Sequence, residues 1–421
     1  MIPIILFTLW AAVVSAAQVS GIFTGFSNLV WQNGANYYKA LPGFPSWLAT
    51  LDWSIQGSKY KAGDTFDLNM PCVFKFTTND QTVELKVNND AYATCTLYSG
   101  EIVTAYSQLQ CTISDLVNAQ TDVSGTVTVP LAFNVGGSAN EVDIEDANCY
   151  TAGQNTVTFT DGDHKISIDV NFNSGPTAGG INPDQIIYSS RVIPTLNKLQ
   201  HYLVAGNCPN GYSSGTLAFT VSNTNLDCSS FHAQVTSQLN SWYYPENSQD
   251  FNFQTSCSAN TFTVTYSNIP AGLRPFIDIL GSTTSASGGT PVTYTNNYYC
   301  VGDRTLHRNS RSVTWGSYKN ADSGSNGNAV VLTTKTWTGT TTRVTTLPYN
   351  TNPGNTKTIE VDVPIPTTTI TKTWTGTNTF TTTKTATPGG TATVEVDVPT
   401  PATTITKTWT GTDTTTTTHT A

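Results

Sequence analysis

Charge is scarce in this sequence. Asp, Glu, Lys and Arg make up 11% of 421 residues, and the formal net charge is −9. Binding through phosphates needs clustered Lys and Arg, so nucleic acid is excluded as a partner class. Met is scarcer still, at two residues. No Cys-x-x-Cys pair occurs and the five His are scattered, which leaves no zinc-type spacing. No metal and no cofactor is expected. No Asn-x-Ser/Thr sequon occurs, so N-linked glycans are not expected, and any sugar belongs on the Thr-rich end. Beyond the first residues no apolar run is long enough to cross a bilayer.

What is present points to β structure and to an oxidising compartment. Thr and the 10% aromatic residues favour strands. Ile2 to Val14 is a short apolar run, followed by the overlapping small-residue sites Val14-Ser15-Ala16 and Ser15-Ala16-Ala17. Residues 1–16 therefore read as a secretory signal peptide. The eight Cys (Cys72, Cys95, Cys111, Cys149, Cys208, Cys228, Cys257 and Cys300) are even in number. In a secreted chain they read as four disulfides. Four lie before residue 150 and four after 207, which suggests two domains with two internal bridges each.

Short alternating runs such as Cys72-Val73-Phe74-Lys75-Phe76 and Thr261-Phe262-Thr263-Val264-Thr265-Tyr266 are separated by Gly, Asn, Asp and Pro. That is the pattern of antiparallel sandwiches. The fold expected is all-β: two tandem immunoglobulin-like sandwiches, residues 17–200 and 201–315, then an extended Thr-rich region at 316–421. A short helix is expected over Phe231 to Leu239, capped by Ser229 or Ser230. From Val331 onward 40 of 91 residues are Thr, with no Cys and no Ser. Ile359-Glu360-Val361-Asp362-Val363-Pro364 recurs as Val394-Glu395-Val396-Asp397-Val398-Pro399, and Thr-Lys-Thr-Trp-Thr-Gly-Thr occurs with Trp at 337, 374 and 409. Such repeats indicate an array or stalk, which favours O-glycosylation. The chain stops inside this array, so attachment to a cell wall is expected through a region beyond residue 421.

Catalytic patterns are weak. Gly211-Tyr212-Ser213-Ser214-Gly215 matches G-x-S-x-G, but it precedes a strand-like run where the nucleophile elbow needs a helix. Asp143, Glu145 and Asp146 form an acidic cluster that reads best as a solvated loop before Cys149; on a strand, Asp143 and Glu145 would share a face as a carboxylate pair. Asp161-Gly162-Asp163-His164 reads as a tight hairpin turn. An enzyme is not expected. Lys75 read alone is an outer-face strand lysine, with a cation at the end of a pocket as the functional alternative. Ala329-Val330-Val331-Leu332-Thr333-Thr334 is β-prone, uncharged and free of Pro, so it is a candidate for homotypic pairing between copies, or else one more strand.

Several ordered runs together resemble the agglutinin-like sequence (Als) cell-surface adhesins of Candida yeasts. They are Asn69-Met70-Pro71-Cys72-Val73-Phe74-Lys75-Phe76-Thr77-Thr78, Pro130-Leu131-Ala132-Phe133-Asn134-Val135-Gly136-Gly137, Ser190-Arg191-Val192-Ile193-Pro194, Pro270-Ala271-Gly272-Leu273-Arg274-Pro275-Phe276 and Ser323-Gly324-Ser325-Asn326-Gly327. The resemblance implies a cavity between two immunoglobulin-like domains that takes the free C-terminal end of a host protein or peptide in extended form. It implies that Lys75 pairs with the terminal carboxylate, that Ala132 and Tyr318 are cavity positions, and that Ser190, Arg191 and Trp315 lie beside the ligand. It also implies bridges Cys72–Cys149, Cys95–Cys111, Cys208–Cys300 and Cys228–Cys257. One departure stands out: Asn328 and Ala329 open the β-prone segment where the family carries a richer aliphatic run. The stretch Arg304-Thr305-Leu306-His307-Arg308 also diverges, near the expected cavity entrance.

Overall fold

The computed structural model describes residues 16–33, 37–283, 289–316, 320–337, 339, 341–348, 356–384, 386, 391–405, 411 and 417–420. The signal-peptide residues 1–15 and Tyr318 lie outside the described residues. The chain divides into two compact units, at Ala329/Val330.

The first unit contains two sandwiches. The N-terminal one is built from β1 (Phe23–Trp31), β2 (Trp47–Gln56), β3 (Thr65–Pro71), β4 (Val73–Phe76), β5 (Thr82–Val87), β6 (Asp90–Tyr98), β7 (Tyr106–Ile113), β8 (Thr121–Phe133), helix α1 (Glu141–Asp146), β9 (Gly153–Asp161) and β10 (His164–Phe172). One sheet has the order β1-β2-β8 with β4 also on β8; the other runs β10-β9-β3-β7-β6-β5. Strand β2 shows why these residues make a sandwich. Trp47, Ala49, Leu51, Trp53 and Ile55 are all buried, and every residue between them is partly exposed. The β9–β10 hairpin pairs Asp161 with His164 across Gly162-Asp163, as the Asp-Gly signal indicates.

The second sandwich comprises β11 (Ile186–Ile193), β12 (Lys198–Ala205), β13 (Tyr212–Val221), β14 (His232–Thr236), β15 (Phe253–Cys257), β16 (Thr261–Ile269), β17 (Arg274–Ser282), β18 (Thr290–Cys300) and β19 (His307–Trp315). Its sheets run β11-β12-β17-β14 and β15-β16-β13-β18-β19. Because β11 pairs with β12 along its whole length, the sheets divide between Phe172 and Ile186; a boundary at 200/201 would cut through β12. The helix expected over Phe231–Leu239 is instead strand β14, antiparallel to β17. Ala233 and Val235 are buried at period two, and this burial overrides the weak cap signal. Gly211–Gly215 enters strand β13 with no helix after it.

The four bridges are Cys72–Cys149, Cys95–Cys111, Cys208–Cys300 and Cys228–Cys257, the pairing the resemblance implies. Each closes within one sandwich, where it restricts the unfolded chain by about 2–4 kcal/mol.

Strand β20 (Gly324–Trp337) closes the first unit and enters the second. Its first residues lie against β8: a Cβ on Gly125 would stand 2.3 Å from the Asn326 carbonyl oxygen and 2.5 Å from the Gly327 Cα. Ala329–Thr334 fall inside this strand, which in the second unit has Thr356–Pro364 as a hydrogen-bonded neighbour. The Thr-rich repeats are likewise extended strands that pair: Ala392–Pro399 lies parallel to Thr367–Trp374 and antiparallel to Phe380–Lys384. Glu360 binds Lys335 in one repeat, and Glu395 binds both Lys372 and Lys384 in the next.

Replacing Gly125 with Val should force Gly324–Ala329 off β8. Overpacking of this kind costs about 1–3 kcal/mol, a fall in melting temperature of roughly 2–12 °C. An unchanged melting temperature would contradict the close approach of the two strands.

Candidate functional site

The two sandwiches share an apolar seam. The first core continues through Ile187, Tyr202, Val204, Trp242, Tyr244 and Phe276 of the second. Trp242 meets Phe172 edge to face, and its indole N–H donates to the Asn173 carbonyl oxygen at 2.8 Å. The Asn240 amide donates to the carbonyl oxygens of Val135 and Ala147. Between the sandwiches this seam leaves a cavity with about 870 Å³ of empty space, part of it open to solvent. Its wall is mainly apolar, with Leu41, Phe44, Phe133, Val135, Trp242 and Trp315 among the lining residues.

Lys75 lines this cavity and is 4% exposed. The outer-face reading of Lys75 is therefore corrected: all four residues of β4 are buried, because the second sandwich covers the face that would otherwise meet water. Lys75 Nζ donates to the Val192 carbonyl oxygen at 2.7 Å. Burial pulls the ammonium pKa down to about 7; Glu101 opposes this and Arg191 adds to it. Glu101 is itself buried, which raises its pKa, while the Thr195 hydroxyl and amide, Lys75 and Arg191 hold it back. The cavity wall thus carries an ammonium whose charge responds to small changes around it.

Arg191 organises the rest. It projects from β11 into the first sandwich and uses every edge of its guanidinium. Nη2 donates to both Asp143 oxygens at 2.6 and 2.5 Å. Nη1 donates to the Asn134 side chain at 2.8 Å and to the Gly136 carbonyl at 3.1 Å, and Nε donates to Gln200 at 2.7 Å. The guanidinium also lies 4.0 Å from the centre of the Phe74 ring.

Asp143 is reached through α1. Asn140 caps this helix by accepting from Val142 N–H, and Glu141 and Asp143 occupy its first turn, where acids are favoured. The acidic cluster is therefore neither a solvated loop nor a strand. At i, i+3 on one helix face Asp143 and Asp146 are both buried, while Glu145 is exposed. Burial raises the Asp146 pKa to about 7, with the Asn134 amide opposing that and Asp143 adding to it. Among the described residues, one grouping of metal-type ligands comes close together: Cys72, Asp146 and Cys149. The two sulfurs are bonded to each other, so neither is a thiolate ligand.

Of the residues marked in the sequence, Lys75, Ser190, Arg191 and Trp315 line the cavity. Ala132 is the cross-strand partner of Lys75 and is buried, and it does not line the cavity. The Ser190 hydroxyl has no hydrogen-bond partner among the described residues. The Trp315 indole donates to Tyr294 Oη at 2.8 Å and packs near Tyr188. Asn134, Asp143, Glu101 and Gln200 were not foreseen as parts of this site. The PLAFNVGG run pointed to Asn134 and Gly136, but no local signal joins residues 101, 143 and 191.

A family model described as "Agglutinin-like protein, N-terminal domain" matches residues 52–300, which include every cavity residue named above except Leu41, Phe44 and Trp315. The chain belongs to the agglutinin-like family. A second model of this family, "Candida agglutinin-like (ALS)", matches 331–364 and 368–399. Agglutinin-like protein 1 of Candida albicans is 48% identical over 380 residues, covering 90% of this chain and 30% of the relative. Agglutinin-like protein 3 of the same organism is 47% identical over 383 residues, covering 90% and 34%. The chain thus spans about a third of the length of these curated relatives. Among solved structures, a collagen adhesin (CNA) from S. aureus covers 75% of this chain and 99% of its own, at 16% identity and a TM-score of 0.36. The serine-rich repeat protein Srr2 of Streptococcus agalactiae covers 71% and 97%, at 12% identity and 0.40. Superposition at that level says nothing about ligand.

Replacing Arg191 with Met would leave Asp143 buried and unpaired. Breaking one side of such a pair typically costs about 3–5 kcal/mol. Urea unfolding of the variant should show a loss of that order, and Lys at 191 should recover only part of it, since it has no planar fork. A loss below about 1 kcal/mol would mean that the pair behaves as an exposed one.

Proposed function

We propose that the first unit is the binding head of a cell-surface adhesin, which takes the free C-terminal end of a host protein or peptide into the cavity between its sandwiches. The observation that carries this reading is the Lys75 ammonium, buried in a mainly apolar cavity wall. Burial lowers its pKa to about 7 although Glu101 acts to raise it, so a carboxylate brought into the cavity would favour the charged form further. A chain terminus brings a carboxylate at its tip, and an internal segment does not. The unpartnered Ser190 hydroxyl offers a second polar contact. The apolar wall reads side chains loosely, so specificity falls on the carboxylate and on the width of the cavity.

The approach fits an extended ligand. β11 and β19 are outer strands of their sheets, and Tyr188 of one packs near Trp315 of the other. A peptide lying there would gain main-chain hydrogen bonds that depend little on its sequence. Arg191 acts in this reading as a positioning residue, because its donors are already engaged. The reading is one of binding without catalysis. The homotypic alternative through Ala329–Thr334 has less support: those residues lie in a strand with a hydrogen-bonded neighbour, which a second copy would have to displace.

Lys75→Met removes the charge and keeps most of the volume. Binding of a flexible peptide with a free carboxyl end should weaken about 10- to 100-fold, the range for losing a hydrogen bond to a charged group. Amidating the peptide should cause a similar loss with the native chain and no further loss with the variant. Unchanged binding of the free peptide by a folded Lys75→Met chain would sink the proposal.

A further inference from the structure

Strand β19 carries a concentration of cations that the cavity chemistry does not use. Arg308 and Arg311 lie within it and Arg304 just before it, all exposed, in a chain whose net charge is −9. Among the described residues none of the three has a carboxylate partner. Arg311 Nη1 donates only to the neighbouring Ser310 carbonyl, at 2.9 Å. His307, by contrast, is settled: it stacks on Tyr298 and its Nε2 lies 3.1 Å from Asp303.

The strand leads to the cavity. Its last residue, Trp315, and the following Gly316 both line the wall. With a strand period of two, Arg311 shares a face with Trp315 and Arg308 points to the other side. At about 3.3 Å per residue, the two arginines stand roughly 13 and 23 Å from Trp315 along the strand. The Arg311 charge is felt at Tyr188 on β11, where burial raises the phenol pKa and Arg311 lowers it. Arg311 is also the cross-strand partner of Tyr294, whose ring stacks on Tyr188, so it stands beside the gap between the outer strands β11 and β19.

We infer that β19 is a selectivity strip for acidic side chains, so that the preferred ligand is an extended C-terminal segment bearing Asp or Glu upstream of its terminal carboxylate. This rests on the carboxylate reading of Lys75. If the terminal carboxylate lies at Lys75 and the ligand leaves past Trp315, the ligand runs parallel to β19 with its N-terminal part toward His307. The acidic positions then fall about four and seven residues upstream of the residue that passes Trp315, on opposite faces of the ligand. Charge complementarity of this exposed kind gives a modest preference and a clear rejection of the wrong sign.

The test uses the full chain and fluorescence anisotropy with free-carboxyl peptides of one length. Their last residues are identical, and their upstream halves carry Asp, Asn or Lys. The native chain should bind the Asp peptide about three- to tenfold more tightly than the Asn peptide, and the Lys peptide more weakly than either. The preference should shrink in an R308Q/R311Q double variant and in high salt, while the Asn peptide is bound equally by native and variant chains. Equal binding of Asp and Asn peptides by the native chain overturns this inference alone. Failure of every free-carboxyl peptide to bind overturns it together with the carboxylate reading.

Discussion

Arg191 starts in the second sandwich and ends in the first. Its five donors meet Asp143, Asn134, Gly136 and Gln200, and its flat face covers Phe74. A guanidinium and a carboxylate at that depth gain little net stability over apolar groups of the same shape, because both are stripped of water. What the pair does is fix alignment. It holds the end of β11 so that Ser190 and Val192, on either side of Arg191, border the cavity. Without that register the Val192 carbonyl would not meet Lys75, and the ammonium would not be held at the wall.

Packing around this clamp is close. At Gly136 the backbone has φ +97°, and a Cβ would stand 2.9 Å from that of Tyr244. Only glycine meets both conditions without strain. The Asp278 carboxylate makes a second polar joint, accepting the Ala139 N–H while it holds His232. With the shared core, these contacts join the two walls of the cavity at several points.

Much of the fold was legible because strands announce themselves residue by residue. Alternation in β16, the Asp-Gly turn between β9 and β10, and the even split of the cysteines each act over a short stretch of chain. The helix α1 was not legible as such. It is six residues long, and Asp143 reads as a loop residue until its partner 48 positions away is known. The same limit applied to Lys75. Alternation in β4 put it on an outward face, and that was right for a single sandwich; only the presence of a second sandwich buries it. Strand β14 shows the opposite failure, where a weak cap signal suggested a helix although Ala233 and Val235 were already at strand spacing. Motif resemblance reached Lys75 and Arg191 where periodicity could not, since an ordered run carries information about distant contacts that local physics lacks.

In the reading proposed above, Lys75 receives a terminal carboxylate. The most direct measurement is the titration of the Lys75 Nζ itself, followed by nitrogen-15 NMR with and without a bound peptide. In the empty protein burial holds this group down, to about 7. An adjacent carboxylate favours the charged form, so its pKa must rise on binding, and affinity must fall as pH is raised above the unliganded value. With a free-carboxyl peptide the pKa should rise by more than about one unit, and with its amidated twin it should not move. The same titration curve for Lys75 in the free protein and in the complex would contradict it.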